Sequence, residues 1–255
     1  MIYFILPFYN EEQNLDKLLK EIDNCMILYN FDYKMILIDD GSIDKSIEII
    51  RNISIKLPYE IISHKTNLGL GSALKSGFEY VIDKIRPEDI VITMDSDNSH
   101  PPEITKDMVE KILNGNDVVI ASRYCPGGKE IGLKLKRKIM SRVINKLLKL
   151  MFYNKNVKDY TCGYRALSGK LLIRLKESFG SNIITEKGFT ATVELLLKCI
   201  SINSDIYEVP LILRYDKKKG KSKIKILRTI LQYIILIFRL KFSNIITKII
   251  KLVKV

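Results

Sequence analysis

Short apolar runs alternate along this chain with longer segments whose apolar residues recur every three or four positions. The runs Ile2 to Leu6, Met35 to Ile38, Glu60 to Ile62, Ile90 to Thr93 and Val118 to Ala121 have the length and β-branched content of buried strands. Between them, Glu11 to Tyr29, Ile43 to Ile55, Leu70 to Ile85 and Glu103 to Asn114 carry a helical period. Such alternation predicts an α/β fold with a mostly parallel sheet and helices on both faces, and ligands then bind beyond the carboxyl ends of the strands. Further along, Glu130 to Phe152 reads as a basic, then amphipathic helix, and Thr161 to Arg165 as a glycine-containing turn. A helix ending near Ser201 follows, and Ile206 to Tyr215 alternates like a strand.

Composition changes this picture at one place, the C-terminal end. With 255 residues and 47% hydrophobic content the chain can build a single sizeable core. Its net charge of +13 is uneven, because residues 217–255 hold twelve Lys and Arg and no Asp or Glu. We therefore divide the chain into an α/β domain, 1–216, and a basic tail, 217–255. Within the tail, Leu227, Ile230, Leu231, Ile234, Ile235 and Phe238 fall at helical spacing, and the uncharged run Thr229 to Phe238 is too short to span a bilayer. Basic amphipathic helices of this kind lie in a lipid interface. The cysteines Cys25, Cys125, Cys162 and Cys199 are far apart, which speaks against a zinc site or a disulfide framework and fits a reducing, cytoplasmic compartment. The apolar N-terminus meets Pro7, Glu11 and Glu12, so it reads as a first strand and not as a signal peptide.

The candidate chemistry sits at three strand ends. In Val91-Ile92-Thr93-Met94-Asp95-Ser96-Asp97-Asn98-Ser99-His100 a buried strand delivers two carboxylates spaced by one residue. Residues two apart in an extended chain point the same way, so Asp95 and Asp97 can share a hard cation such as Mg²⁺ or Mn²⁺. Asp39 and Asp40 end a second strand, where one of them can accept hydrogen bonds from a base or ribose or, in the plainer reading, Asp40 or Ser42 caps the helix that begins near Ile43. Pro7-Phe8-Tyr9-Asn10-Glu11 adds an aromatic ring and a carboxylate at the end of the first. Asn67-Leu68-Gly69-Leu70-Gly71 falls short of a dinucleotide fingerprint, since Leu74 stands at the third glycine position. With His64 and His100 the only histidines, a Ser/His/Asp site is not expected. Basic residues cluster at Arg123, at Lys134 to Arg142 and at Lys217 to Lys223, where anionic substrates would be handled. A nucleic-acid-binding module would account for the charge, but it leaves the strand-end carboxylates unused and repelling a phosphate backbone, so no nucleic-acid partner is expected.

In chain order, Pro7-x-Tyr9-Asn10-Glu11-Glu12, Asp39-Asp40-Gly41-Ser42-x-Asp44, Asn67-x-Gly69-x-Gly71, Asp95-x-Asp97-x-Ser99-His100-Pro101, Ser122-Arg123-Tyr124, Arg137-x-x-x-Ser141-Arg142, Thr161-x-Gly163-Tyr164-Arg165 and Gly220-x-Ser222-Lys223 resemble the family 2 glycosyltransferases of the dolichyl-phosphate mannose synthase type. That resemblance implies a GT-A (Rossmann-like) fold, a GDP-mannose donor or the related UDP-glucose, Mg²⁺ or Mn²⁺, and a dolichyl (polyprenyl) phosphate acceptor. It implies nucleotide-sugar binding by Pro7, Tyr9, Glu11, Asp39, Asp40 and Asp95, and metal binding by Asp95, Asp97 and Ser99, where some members carry Gln in place of Ser99. It implies acceptor-phosphate binding by Arg137, Ser141 and Lys217, the last standing where members often have Arg. Asp97, Arg123 and Arg137 are then the expected catalytic residues. A membrane surface is an expected partner, with a small membrane subunit as a further candidate, and the expected location is peripheral, on the cytosolic face. The absence of tryptophan removes the QxxRW motif of processive synthases, so repeated polymerisation is not expected.

Overall fold

The computed structural model describes residues 1–220 and 229–241. A seven-stranded sheet carries the fold, in the order β3-β2-β1-β4-β7-β5-β8. Its strands are β1 (Ile2–Phe8), β2 (Tyr33–Asp39), β3 (Tyr59–Ser63), β4 (Ile90–Thr93), β5 (Val118–Ser122), β7 (Arg165–Ser168) and β8 (Ile206–Pro210). Only β7 runs against its neighbours, pairing antiparallel with β4 and β5, so the sheet is mostly parallel as expected. All four residues of β4 and all five of β5 are buried, which is why these strands read as unbroken apolar runs and not as alternating ones. A second sheet pairs β6 (Lys129–Ile131) with β9 (Ile212–Arg214).

The helices are α1 (Leu15–Leu28), α2 (Ser46–Arg51), α3 (Leu70–Ile82), α4 (Thr105–Leu113), α5 (Leu135–Met151), α6 (Gly169–Phe179) and α7 (Ala191–Ser201). The chain steps from β1 outward to β2 and β3, then returns across β1 to form β4. With right-handed crossovers this reversal places α1 and α2 on one face and α3 on the other, and opens a crevice where β1 and β4 part.

Several expected elements are shorter, for physical reasons visible in the loops. Helix α1 begins at Leu15 and not at Glu11, and α2 at Ser46 and not at Ile43, because the loops after β1 and β2 are stitched together. Asn10 N–H donates to Ser42 Oγ (2.9 Å), Ile43 N–H to Asn10 Oδ1 (2.9 Å), Glu11 N–H to Ser46 Oγ (2.8 Å) and Lys45 N–H to Glu12 Oε2 (3.0 Å). The expected strand Ile206 to Tyr215 breaks at Leu211, whose N–H donates to Ser122 O while its own carbonyl accepts from Lys129 N–H, and its two halves join different sheets. The start of the expected helix Glu130 to Phe152 is instead strand β6. Strand β7 stands where the sequence pattern suggested a turn running into helix.

Part of the expected tail packs on the α/β body. In the helical segment 229–241, Tyr233, Leu236 and Ile237 are buried. Arg239 holds it there, 3.0 Å from Glu186 and 3.4 Å from Glu194. The remaining tail residues, 221–228 and 242–255, and with them Ser222 and Lys223 of the last motif, lie outside the described residues.

Candidate active site

A cleft of about 600 Å³ opens at the switch point between β1 and β4. Pro7, Tyr9, Glu11, Asp40, Asp95, Asp97, Ser99, Arg123, Arg137 and Ser141 all line it. Ten expected site residues, scattered over 135 positions of sequence, thus meet on one surface. Asp39 and Lys217 are not among the lining residues. Asp39 is buried and accepts the Ser42 N–H at 2.8 Å, closing the turn after β2.

The acidic pair is shaped by its turn. After β4 the chain doubles back at Asn98, whose φ of 61° is a left-handed conformation that Asn tolerates better than most residues. Asn98 is anchored by its Nδ2, which donates to Asn14 O at 3.0 Å. Ser96 Oγ donates to Pro7 O (2.9 Å), tying this turn to the end of β1. The two carboxylates then face different surroundings. Asp97 Oδ1 accepts from Ser99 N–H (3.1 Å) and Ser99 Oγ (2.5 Å), and Oδ2 accepts from Lys218 Nζ (2.5 Å). Burial works against the Asp97 charge, but the Lys218 ammonium, together with His100 and the hydrogen bonds from Lys218 and Ser99, holds the carboxyl below its usual range. Asp95 is half-buried, and desolvation, reinforced by the charge on Asp97, raises it. Its N–H donates to His100 Nδ1 at 3.2 Å, so that ring nitrogen acts as an acceptor, and the ring stacks on Tyr164 with centroids 5.1 Å apart.

Two carboxylates and a hydroxyl form the all-oxygen donor set of a hard cation such as Mg²⁺ or Mn²⁺. No group of three or more His, Cys, Asp and Glu is arranged to hold a metal ion among the described residues. Asp95, Asp97 and Ser99 could nevertheless hold such an ion, since the chemistry of their oxygens suits it and Asp97 already draws a cation, the Lys218 ammonium.

The basic wall divides its labour. Arg123 is held side-on by Asp159, with Nε to Oδ2 and a terminal nitrogen to Oδ1 both 2.8 Å, and it also donates to Thr161 Oγ1 at 2.8 Å. It fixes the Thr161–Gly163 turn that floors the cleft. Arg137 lies over the Tyr215 ring, 4.7 Å from its centroid, and donates to the Tyr215 hydroxyl. Ser141 accepts from Tyr124 OH at 2.9 Å. Asp40 is committed to structure, accepting from Leu68 N–H (2.9 Å) and Gly69 N–H (2.8 Å) and pairing with His64 Nδ1 (2.8 Å). It thereby sets the loop that opens α3.

Sequence reasoning missed Lys218, Tyr215 and Tyr233 as cleft residues. Lys218 and Tyr215 follow β9, whose pairing with β6 has no strong local signal. Tyr233 arrives on the helical segment 229–241. The tie between Arg214 N–H and Ser99 O (2.9 Å) brings this stretch beside the acidic turn.

Comparison with known proteins gives the family and the fold. Residues 3–175 match the sequence model of the family described as Glycosyl transferase family 2. The chain is 33% identical over 249 residues to the dolichol-phosphate mannosyltransferase of Pyrococcus furiosus, covering 97% of this chain and 66% of that protein, just under two thirds of its length. It is 27% identical over 221 residues to the polyprenol monophosphomannose synthase of Mycolicibacterium smegmatis, covering 86% of this chain and 79% of that one. In fold it is similar to glucosyl-3-phosphoglycerate synthase from Mycobacterium tuberculosis, solved in complex with Mn²⁺, UDP and glucosyl-3-phosphoglycerate, with a TM-score of 0.63 at 19% identity. That match covers 87% of this chain and 73% of the other.

Proposed function

Because the chain belongs to glycosyl transferase family 2, we propose that it moves a hexose, mannose from GDP-mannose, onto a dolichyl or other polyprenyl phosphate at a membrane surface. One observation carries this reading: the Asp95–Asp97 pair and the side chains of Arg137 and Ser141 line the same cleft. Carboxylates suited to a cation, in the loop after β4, and groups suited to phosphate, on helix α5, thus face one cleft. The names of the Pyrococcus and Mycolicibacterium relatives support a polyprenyl-linked mannosyl transfer.

The chemistry needs no general base. A phosphate monoester is anionic near neutral pH, so its oxygen attacks the anomeric carbon directly once it is positioned and partly freed of water. The new carbon–oxygen bond forms as the bond to the nucleoside diphosphate breaks, in one inverting displacement. Asp95, Asp97 and Ser99 would hold a divalent cation, which would supply positive charge to offset that of the departing diphosphate. Arg137 and Ser141, on α5, orient phosphate in the same cleft. Arg123, neutralised by Asp159, serves by fixing the turn beneath them.

Helix α5 supports a peripheral membrane location. Its inner side gives Arg137, Met140, Ser141 and Ile144 to the cleft. Its outer side exposes Leu135 (71%), Ile139 (54%), Val143 (59%) and Leu150 (79%) among Lys136, Lys138, Arg142, Lys146 and Lys149, with no acidic residue on the helix. An apolar row flanked by cations suits an anionic bilayer. No helix among the described residues is long and apolar enough to cross a membrane.

Incubation of the protein with polyprenyl phosphate, Mn²⁺ and labelled GDP-mannose or UDP-glucose tests the reading. We expect lipid-extractable label from GDP-mannose, lost in Asp97→Asn. Label from UDP-glucose alone would change the donor, and label from neither would refute the proposal.

A further inference from the structure

A lysine already occupies the place where a divalent cation would meet Asp97. Lys218 Nζ lies 2.5 Å from Asp97 Oδ2, and both side chains are only 11% exposed. Since Ser99 takes Oδ1, both oxygens of the Asp97 carboxylate are engaged.

Backbone contacts deliver this lysine. Tyr215 N–H donates to Ile131 O at 3.0 Å, and Arg214 N–H to Ser99 O at 2.9 Å. On the far side, Lys219 N–H donates to Asn14 Oδ1 and Asn14 Nδ2 to Lys219 O, both at 3.2 Å. Asn14 also donates to Glu11 Oε2 at 2.6 Å. The stretch 214–219 is therefore sewn to both loops of the switch point, and Lys218 is the side chain it aims between them.

An ammonium and a divalent cation cannot share one carboxylate oxygen, because at such separations their repulsion is large in a half-buried cleft. Charge counting shows what relieves it. Asp95, Asp97 and Lys218 together carry one net negative charge. A divalent cation alone would turn that into one net positive charge, with the lysine stranded beside it. A divalent cation arriving with the doubly negative diphosphate of a nucleotide sugar restores the original balance and offers the ammonium new oxygen partners.

We propose that Lys218 is an internal counter-ion that opposes binding of a divalent cation alone at Asp97 and transfers to the donor diphosphate when both arrive, making metal and nucleotide binding cooperative. This rests on the reading of Asp95 and Asp97 as metal ligands. It gives Lys218 a positioning role that neither Lys217 nor Lys219 can fill, since neither reaches Asp97.

The test is Mn²⁺ affinity of the full chain at fixed pH, followed by electron paramagnetic resonance of free Mn²⁺, without nucleotide and with GDP or UDP. In the unaltered protein the nucleoside diphosphate should tighten Mn²⁺ binding on the order of tenfold or more. Lys218→Met should bind Mn²⁺ alone on the order of tenfold more tightly and lose most of the nucleotide's effect. Lys218→Arg, which keeps the charge, should behave as the parent. Lys219→Met, which removes a charge one position away, should leave the affinity for Mn²⁺ alone unchanged. Equal or weaker Mn²⁺ binding by Lys218→Met overturns the proposal, as does an equal gain in Lys219→Met. Mn²⁺ binding that is undiminished in Asp95→Asn and Asp97→Asn would instead refute the metal site itself, and this inference with it.

Discussion

Arg123 and Asp159 form a two-point pair in which Nε and a terminal nitrogen meet the two carboxylate oxygens at 2.8 Å, with Asp159 wholly buried. Burial opposes the charge on Asp159, but the adjacent guanidinium more than offsets this and holds the carboxyl below its usual range. A carboxyl depressed in the native state adds stability that is present above its unfolded pKa of about 3.9 and lost as pH falls through the native value. Asp159→Asn should therefore lose about 3 kcal/mol at pH 7 by urea unfolding, because the buried Arg123 loses its two-point partner and is left with the longer carboxylate contact to Glu130 at 3.5 Å. The gap from the parent should narrow below about pH 4.

Asp95 predicts the opposite sign. Its native carboxyl, raised by burial and by Asp97, keeps its proton to higher pH than the unfolded chain does, so stability drops as pH rises through that window. Since the cleft leaves it only half-buried, metal-free Asp95→Asn should gain about 0.5–1 kcal/mol at pH 7. The same change should lower transfer activity about a hundredfold or more. Thermal melting beside a transfer assay checks both.

Gly71 has no room for a side chain. A Cβ there would lie 1.9 Å from Glu186 O, and Gly71 N–H donates to Lys187 O at 2.9 Å. Gly71→Ala should destabilise by about 2–3 kcal/mol through the forced separation of α3 from this loop, measured by denaturant midpoint at unchanged slope.

Arg239 clips the helical segment 229–241 to Glu186 and Glu194. As it is nearly half exposed, Arg239→Ala should lower global stability by no more than about 1 kcal/mol. Hydrogen exchange within 229–241 should rise clearly, and unchanged protection would show that the buried Tyr233, Leu236 and Ile237 hold the segment unaided.

The exposed row on α5 should act at a bilayer. Replacing Leu135, Ile139 and Val143 together by Asn should reduce co-sedimentation with anionic vesicles about tenfold or more, with the fold retained. Undiminished sedimentation would remove α5 from the membrane contact.

The central strands and the acidic turn were legible because their signals are local. Ile90 to Thr93 is apolar throughout and covered on both faces, and Asp95 and Asp97 follow it directly. Loops were harder. Nothing near Asp39 and Asp40 announces that Asp39 closes its own turn while Asp40 braces Leu68, Gly69 and His64, almost thirty residues away. The glycines at 69 and 71, which fall short of a dinucleotide fingerprint, admit the backbone of Lys187 and Glu186.

By itself the sequence determined the alternation of strand and helix, the strand ends where chemistry would gather, and a basic C-terminal end, since hydrophobic period and charge are properties of neighbouring residues. Only the tertiary structure decided that Arg165–Ser168 enters the sheet between β4 and β5, because so short a strand is specified by partners more than forty residues distant. It alone also chose Lys218 over Lys217. Adjacent lysines look equivalent until the pairing of β9 with β6 and the clasp on Asn14 fix which one points at Asp97.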